Sequence, residues 1–136
     1  MRFMRLRNIL VLLAFGLLAL SPQAQGVESL NEKAIDFIRQ ENYEKAVSTL
    51  TEAIKASPKY AESYFNMGFT YYCMSRYDDA MQWYKKTIQV DSSYADAYVN
   101  VGLICNHKKQ YEESIMWCRR ALLIDSTLAN AYTNMG

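Results

Sequence analysis

The feature that most constrains this chain is a distance. Gly68, Gly102 and Gly136 stand 34 residues apart, as do Tyr43, Tyr77 and Tyr111, and Tyr64, Tyr98 and Tyr132. Residues 61–94 and 95–128 align end to end without a gap, 27–60 is a looser copy, and 129–136 is the opening of a fourth. A period of this length belongs to stacked helical hairpins, each too small to bury its apolar face alone and each completed by its neighbour. The expected fold is therefore all-α, with about three and a quarter units.

Periodicity inside one unit leads the same way. Tyr64, Met67, Gly68 and Tyr71 recur at the three-and-four spacing of one helical face, and Ala80, Tyr84 and Ile88 form a second stripe. The phase shifts near 75–77 and 109–111, which predicts two antiparallel helices per unit, near 28–40, 44–56, 62–74, 78–90, 96–108 and 112–124. Gly68 against Ala80, and Gly102 against Ser114, are small enough to let helix axes approach. This explains glycine inside a helix, where it costs about 1 kcal/mol against alanine. Asp91, Asp125 and Ser57-Pro58 mark the exits between units, because proline cannot continue a helix.

These residues resemble the tetratricopeptide repeat family from about residue 27 to the end. Tyr64-x-x-Met67-Gly68-x-x-Tyr71 followed by Ala80-x-x-x-Tyr84 sits where that family has aromatic-x-x-Leu-Gly-x-x-Tyr and Ala-x-x-x-Phe. In the third unit Tyr98, Val101 and Gly102 hold while Cys105, Ser114 and Cys118 depart. The first keeps Phe37, Tyr43, Ala46, Leu50, Ala53 and Pro58, with Ala34 in the glycine slot. The resemblance implies a right-handed superhelical solenoid in which Tyr64, Gly68, Tyr71, Ala80, Tyr98, Gly102 and Ala121 are packing positions.

Residues 1–26 are a different object. Arg2, Arg5 and Arg7 precede an apolar run over 9–20, then Ser21-Pro22 and the small-x-small triplet Ala24-Gln25-Gly26. This reads as a secretory signal cleaved after Gly26, the alternative being an uncleaved anchor. Twelve apolar residues fall short of the about 20 that a bilayer-spanning helix takes. Export into a bacterial periplasm is expected. Removing those three arginines from the 15 basic residues leaves 12 against 14 acidic, turning a net +1 into −2, with no basic footprint for nucleic acid. The chain stops at Asn134-Met135-Gly136, inside what should be the first helix of a fourth unit, which suggests a truncated sequence.

Chemistry finds little purchase. Three cysteines are an odd count for an exported chain; Cys105 and Cys118 are placed either for a disulfide across one hairpin or as buried thiols, and Cys73 is solitary. The single histidine, His107, lies two residues from Cys105, about 200° around a helix, so no metal set converges. There is no phosphate loop and no nucleophile elbow, and Asp78-Asp79 and Glu112-Glu113 suit helix N-termini. No enzyme activity and no cofactor are expected.

Binding is the remaining class. The resemblance implies an inner groove lined by first-helix residues, on which Asn66, Asn100 and Asn134 share one slot two residues before each glycine, with Glu32 interrupting it in the first unit. Such a ladder would offer amide donors and acceptors to the main chain of an extended peptide, or would simply be solvated. Phe65, Phe69, Tyr72, Val99 and Leu103 lie beside it, and Glu28, Glu62 and Asp96 rim its edge. This set suits a protein or peptide segment with apolar side chains and some positive charge, unless a missing C-terminal part covers it. No lysine stands where the family's carboxylate clamp would need one. Lys85, Lys86, Arg119 and Arg120 form a basic strip on the second helices, beside Trp83 and Trp117, and read as a solvated face.

The expected function is a non-catalytic interaction scaffold of the bacterial envelope. The alternatives are the N-terminal sensory or interaction module of a longer membrane-bound signalling protein, or repeats that present substrate to a catalytic domain further along.

Overall fold

In the computed structural model, residues 22–136 are described. They form seven helices: α1 (Pro22–Arg39), α2 (Tyr43–Ala56), α3 (Ala61–Cys73), α4 (Tyr77–Val90), α5 (Ala95–His107), α6 (Tyr111–Ile124) and α7 (Ala129–Asn134). The all-α solenoid of helix pairs inferred from the period is what the chain adopts: α1–α2, α3–α4 and α5–α6 are hairpins stacked in order, and α7 packs on the last. The first helix begins at Pro22, six residues before the expected start at 28. The expected signal segment, including its apolar run 9–20, otherwise lies outside the described residues. No helix among those described is long and apolar enough to cross a membrane.

The three hairpin turns are built alike without any glycine. Glu41, Ser75 and Lys109 adopt φ of 59°, 58° and 60°, the left-handed conformation that usually closes a helix. The next residue's N–H then reaches back five positions: Asn42 to the Phe37 carbonyl at 2.8 Å, Arg76 to Tyr71 at 2.9 Å and Gln110 to Cys105 at 2.8 Å. Those bonds satisfy carbonyls that a helix end would leave orphaned. The Asn42 side chain also accepts from Lys45 N–H, capping α2.

Exits between units repeat just as closely. Asp91 accepts from the backbone and hydroxyl of Ser93, and Asp125 from those of Thr127, which holds both carboxyls below the usual aspartate range. The tyrosine that opens each first-helix stripe bolts back to the preceding exit. Tyr64 donates to the Pro58 carbonyl at 3.0 Å, Tyr98 to Ser92 at 3.0 Å and Tyr132 to Ser126 at 3.3 Å.

Three apolar clusters run along the stack. Ala34, Leu50 and Met67 join the first two units; Ala80, Tyr84, Ala97, Val101, Ile104 and Cys105 join the second and third; Tyr98, Val99, Cys118, Ala121 and Ala131 join the third to α7. Tyr71 is half-buried with its ring stacked on Trp83, 6.5 Å between centroids. The glycine slot is read by whatever faces it. A Cβ on Gly68 would stand 2.8 Å from the Tyr84 ring, and one on Gly102 would stand 2.7 Å from Cys118 Sγ and 3.2 Å from the Ser114 carbonyl. Ala34 fits in the first unit, where the equivalent facing residue is Leu50. Cys105 and Cys118 are both buried free thiols, not a disulfide, and burial pushes each upward.

Replacing Gly102 with alanine should therefore lower the melting temperature: overpacking of about 1–3 kcal/mol against a sulfur and a fixed carbonyl outweighs the about 1 kcal/mol of helix propensity regained. Adding Cys118→Ala to that variant should recover part of the loss. A Gly102→Ala protein more stable than the parent would show that the close approach is not limiting.

Candidate functional site

One stripe of each first helix, at spacings of three, seven and ten or eleven residues, faces the inner side of the stack. On α1 it reads Glu28, Asn31, Ile35 and Arg39; on α3 Glu62, Phe65, Phe69 and Tyr72; on α5 Asp96, Val99, Leu103 and His107. The side chains along these stripes do three different things.

At the level of Asn31, Phe65 and Val99 the stripe is structural. Val99 is 5% exposed in the cluster that includes Ala131, and Phe65 is half-buried with its ring 5.3 Å from Tyr84 and 5.0 Å from Tyr94. Both were expected to line the groove; the structure instead packs Phe65 against Tyr84 of α4 and Tyr94 of the following exit, and Val99 in the cluster that joins the third unit to α7. Asn31 fills the same level in the first unit and is 2% exposed. Its amide donates to the Ser63 hydroxyl and to the Val27 carbonyl, both at 2.8 Å, while its side-chain oxygen accepts from Asn66.

The asparagine slot is accordingly not three copies of one surface. Asn66 is 7% exposed, and its amide is spent on Asn31 Oδ1 at 3.0 Å. Asn134 reaches back across its junction to the Val99 carbonyl at 3.3 Å, and its own carbonyl accepts from Asn106 at 2.6 Å. Asn100 alone turns onto its own helix, donating to the Asp96 carbonyl at 2.9 Å, and stays half-exposed. Of the three, only Asn100 makes no hydrogen bond across a junction.

Further along lies the apolar floor. Phe69 is 42% exposed, an unusual level for phenylalanine inside a stacked helix, and Leu103 is the equivalent residue one unit on, half-buried. Tyr72 closes this floor. Its hydroxyl lies 3.1 Å from His107 Nε2, and His107 stacks on Tyr77 with ring centroids 4.9 Å apart. Burial, followed by the neighbouring Tyr77 and Cys73, pushes the Tyr72 phenol upward.

At the other end is an acidic and phenolic rim. The Tyr60 hydroxyl donates to Glu62 at 2.8 Å; burial and the adjacent Glu62 and Glu28 push its phenol up to about 12. Tyr94 is also raised to about 12, by burial first and then by Glu62, Asp96 and Asp91. Two phenols that feel carboxylates from neighbouring units mark a continuous negative edge. Neither Tyr60 nor Tyr94, nor Asn31 or His107, stands out as a groove residue in the sequence. The available signal was that Tyr60 and Tyr94 close their units 34 residues apart.

Comparison with known proteins sets this architecture in a class. Two tetratricopeptide repeat profiles match the chain, over residues 27–93 and 95–128. The chain belongs to the tetratricopeptide repeat family. Among solved structures it is similar to the first tetratricopeptide domain of Spaghetti (RPAP3) bound to the HSP90 peptide SRMEEVD, at 21% identity and a TM-score of 0.75, covering 82% of this chain and 88% of that one. It is similar also to the Arabidopsis OM64 tetratricopeptide domain, at 24% identity, TM-score 0.74 and coverage of 83% and 93%. A third likeness is the second such domain of human RPAP3 with the HSP70 peptide SGPTIEEVD, at 21% identity, TM-score 0.75 and coverage of 83% and 94%. At these identities the likeness establishes the fold. No curated protein matches the chain.

Proposed function

We propose that this chain is a non-catalytic interaction scaffold that binds a protein or peptide segment in the inner groove, and that it works after export, in the bacterial cell envelope. The observation that carries the reading is Phe69, held 42% exposed on the groove floor between Leu103 and the Tyr72–His107 pair. Large apolar side chains left open on an otherwise stacked surface mark sites where something docks. Family membership supports the class, since two of the similar domains above are bound to peptides.

The chemistry of the partner is read from the rim. The peptides in those complexes, SRMEEVD and SGPTIEEVD, are acidic at their C-terminal ends. Here Glu28, Glu62 and Asp96 edge the groove, and an acidic ligand would meet like charge. The ligand favoured is apolar with some positive charge, its side chains on Phe69 and Leu103 and its main chain within reach of Asn100. Export rests on the sequence of residues 1–26.

The test uses the whole chain produced in bacteria, with synthetic 12-residue peptides alternating leucine with lysine or leucine with glutamate. The lysine series should bind about ten-fold or more tighter, and Phe69→Glu should remove most of that affinity, as loss of a buried aromatic anchor does. Asn100→Ala should cost less. Equal binding of the two series, or indifference to Phe69→Glu, would overturn the groove reading. In the same preparations, N-terminal sequencing of the envelope fraction should begin at Val27; recovery of only the intact chain in the cytoplasm would sink the export reading.

A further inference from the structure

The large exposed apolar residues on α6 and α7 fall into two kinds, and the repeat supplies its own control. Tyr111, Ile124 and Tyr132 have counterparts one unit earlier, Tyr77, Val90 and Tyr98, that are half-buried or buried once the following helices pack on them. Met116 and Leu123 behave differently. Their counterparts in the second unit are Gln82 and Gln89, and in the first Ser48 and Lys55. All four are exposed although a further unit stacks beyond each of them. Stacking therefore does not cover these two positions, and every other unit makes them polar. Met116 is 42% exposed and Leu123 88% exposed on the outer face of α6.

The charge beside them is divided along α6: exposed Glu112 and Glu113 lie one turn before Met116, and a cationic strip follows it. Lys85, Lys86, Arg119 and Arg120 are all exposed, and among the described residues none makes an ion pair with a carboxylate. The first unit has Thr51 and Glu52 at the same two positions, so the cationic strip belongs to the second and third units only. Three of its members are oriented by aromatic rings: Lys85 and Arg120 lie 5.7 Å and 5.1 Å from the Trp117 centroid, and Lys86 lies 3.9 Å from that of Trp83. Met116 and Leu123 are seven residues apart, two turns of one helix and about 10 Å along its axis.

From these observations we infer that the outer face of α6 is a second docking surface, distinct from the inner groove, for an acidic amphipathic helix of a protein partner. Met116 and Leu123 match one apolar ridge of such a helix, whose own residues repeat at three, four and seven. Carboxylates flanking that ridge meet Lys85, Lys86, Arg119 and Arg120, which steer the encounter and fix polarity. Two side chains on one helix fit a partner ridge better than a bilayer interface, which takes up a whole apolar helix face. The surface leaves the groove free, so one chain can hold two partners at once.

The test pans the whole chain against a displayed library of random peptides about 18 residues long, five helical turns. The selection is repeated on Met116→Gln/Leu123→Gln, which installs the second unit's own residues, and on Arg119→Glu/Arg120→Glu. Enriched peptides should be net negative with an apolar three-four-seven stripe, and should bind the glutamine variant about ten-fold or more weaker. The charge variant should lose the preference for acid. Thermal unfolding should be unchanged, since both positions are exposed. Binders indifferent to the glutamine variant, or without an acidic signature, overturn the proposal. So does variant-sensitive binding to phosphatidylglycerol vesicles in place of any peptide, which would assign the face to a membrane. A dimer in sedimentation that the glutamine variant dissociates would give the face to a second copy, and would also overturn it.

Discussion

Replacing Tyr84 with alanine is expected to destabilise the chain by about 3–5 kcal/mol, the range found for emptying a large aromatic from a core. The ring is fully buried, lies directly under Gly68 and contacts Phe65, so its removal opens space inside the second hairpin, beside the Ala97 and Val101 cluster of the third unit. Phenylalanine at the same position should do the opposite. The Tyr84 hydroxyl is buried and has no hydrogen-bond partner. A buried unpartnered polar group costs about 1–3 kcal/mol, and Tyr84→Phe removes it while keeping the ring. Burial, the leading influence on this phenol, pushes its pKa upward, so the group is neutral throughout the range where the protein would be studied. Urea unfolding followed by helical circular dichroism measures both variants. A phenylalanine variant less stable than the parent would mean that the hydroxyl has found a partner.

A second large effect is expected at the first junction. Asn66→Ala should cost about 1–3 kcal/mol, because it strands the buried side-chain oxygen of Asn31. Asn100→Ala, one unit along in the same slot, should stay within about 0.5 kcal/mol, as for exposed positions without special partners. The pair Asn31 and Asn66 should show coupling of about 0.5–3 kcal/mol in a double-mutant cycle. Near-additivity would mean that the two amides are not held together in solution. The contrast has a practical side. Any loss of binding in an Asn66 variant must be corrected for lost structure, whereas a loss in an Asn100 variant reports the groove directly.

The fold was legible because its information is periodic. Gly68, Gly102 and the tyrosines at 64, 98 and 132 announce a 34-residue unit, and the shift of stripe phase near 75 and 109 announces the turn inside it. The turn chemistry was not announced. Left-handed residues are usually glycine or asparagine, and Glu41, Ser75 and Lys109 are neither; the two flanking helices force the conformation. The groove was half legible. Phe69, Leu103 and Tyr72 could be placed from the helical period, but Phe65 and Val99 share that period and sit at the junction. What separates the two levels is the partner packed on each, Tyr84 and Tyr94 on Phe65 and the α7 cluster on Val99, and no single stripe encodes it. The three asparagines failed as a set for a related reason. One slot meets Asn31 at the first junction and the Val99 carbonyl at the third, while Asn100 between them bonds only its own helix, so identical residues have different partners.

The tyrosine bolts carry a consequence for how such a chain can grow. Each runs from Tyr64, Tyr98 or Tyr132 to a carbonyl six residues earlier, so it is copied intact whenever a whole period is duplicated or lost. The Asn31, Ser63 and Asn66 hydrogen bonds are not copied, since they span two units with the matching partner in only one place. Length is thus free to change in steps of a period, while the neighbour of the first unit is fixed by a lock that the other units lack the key to fit.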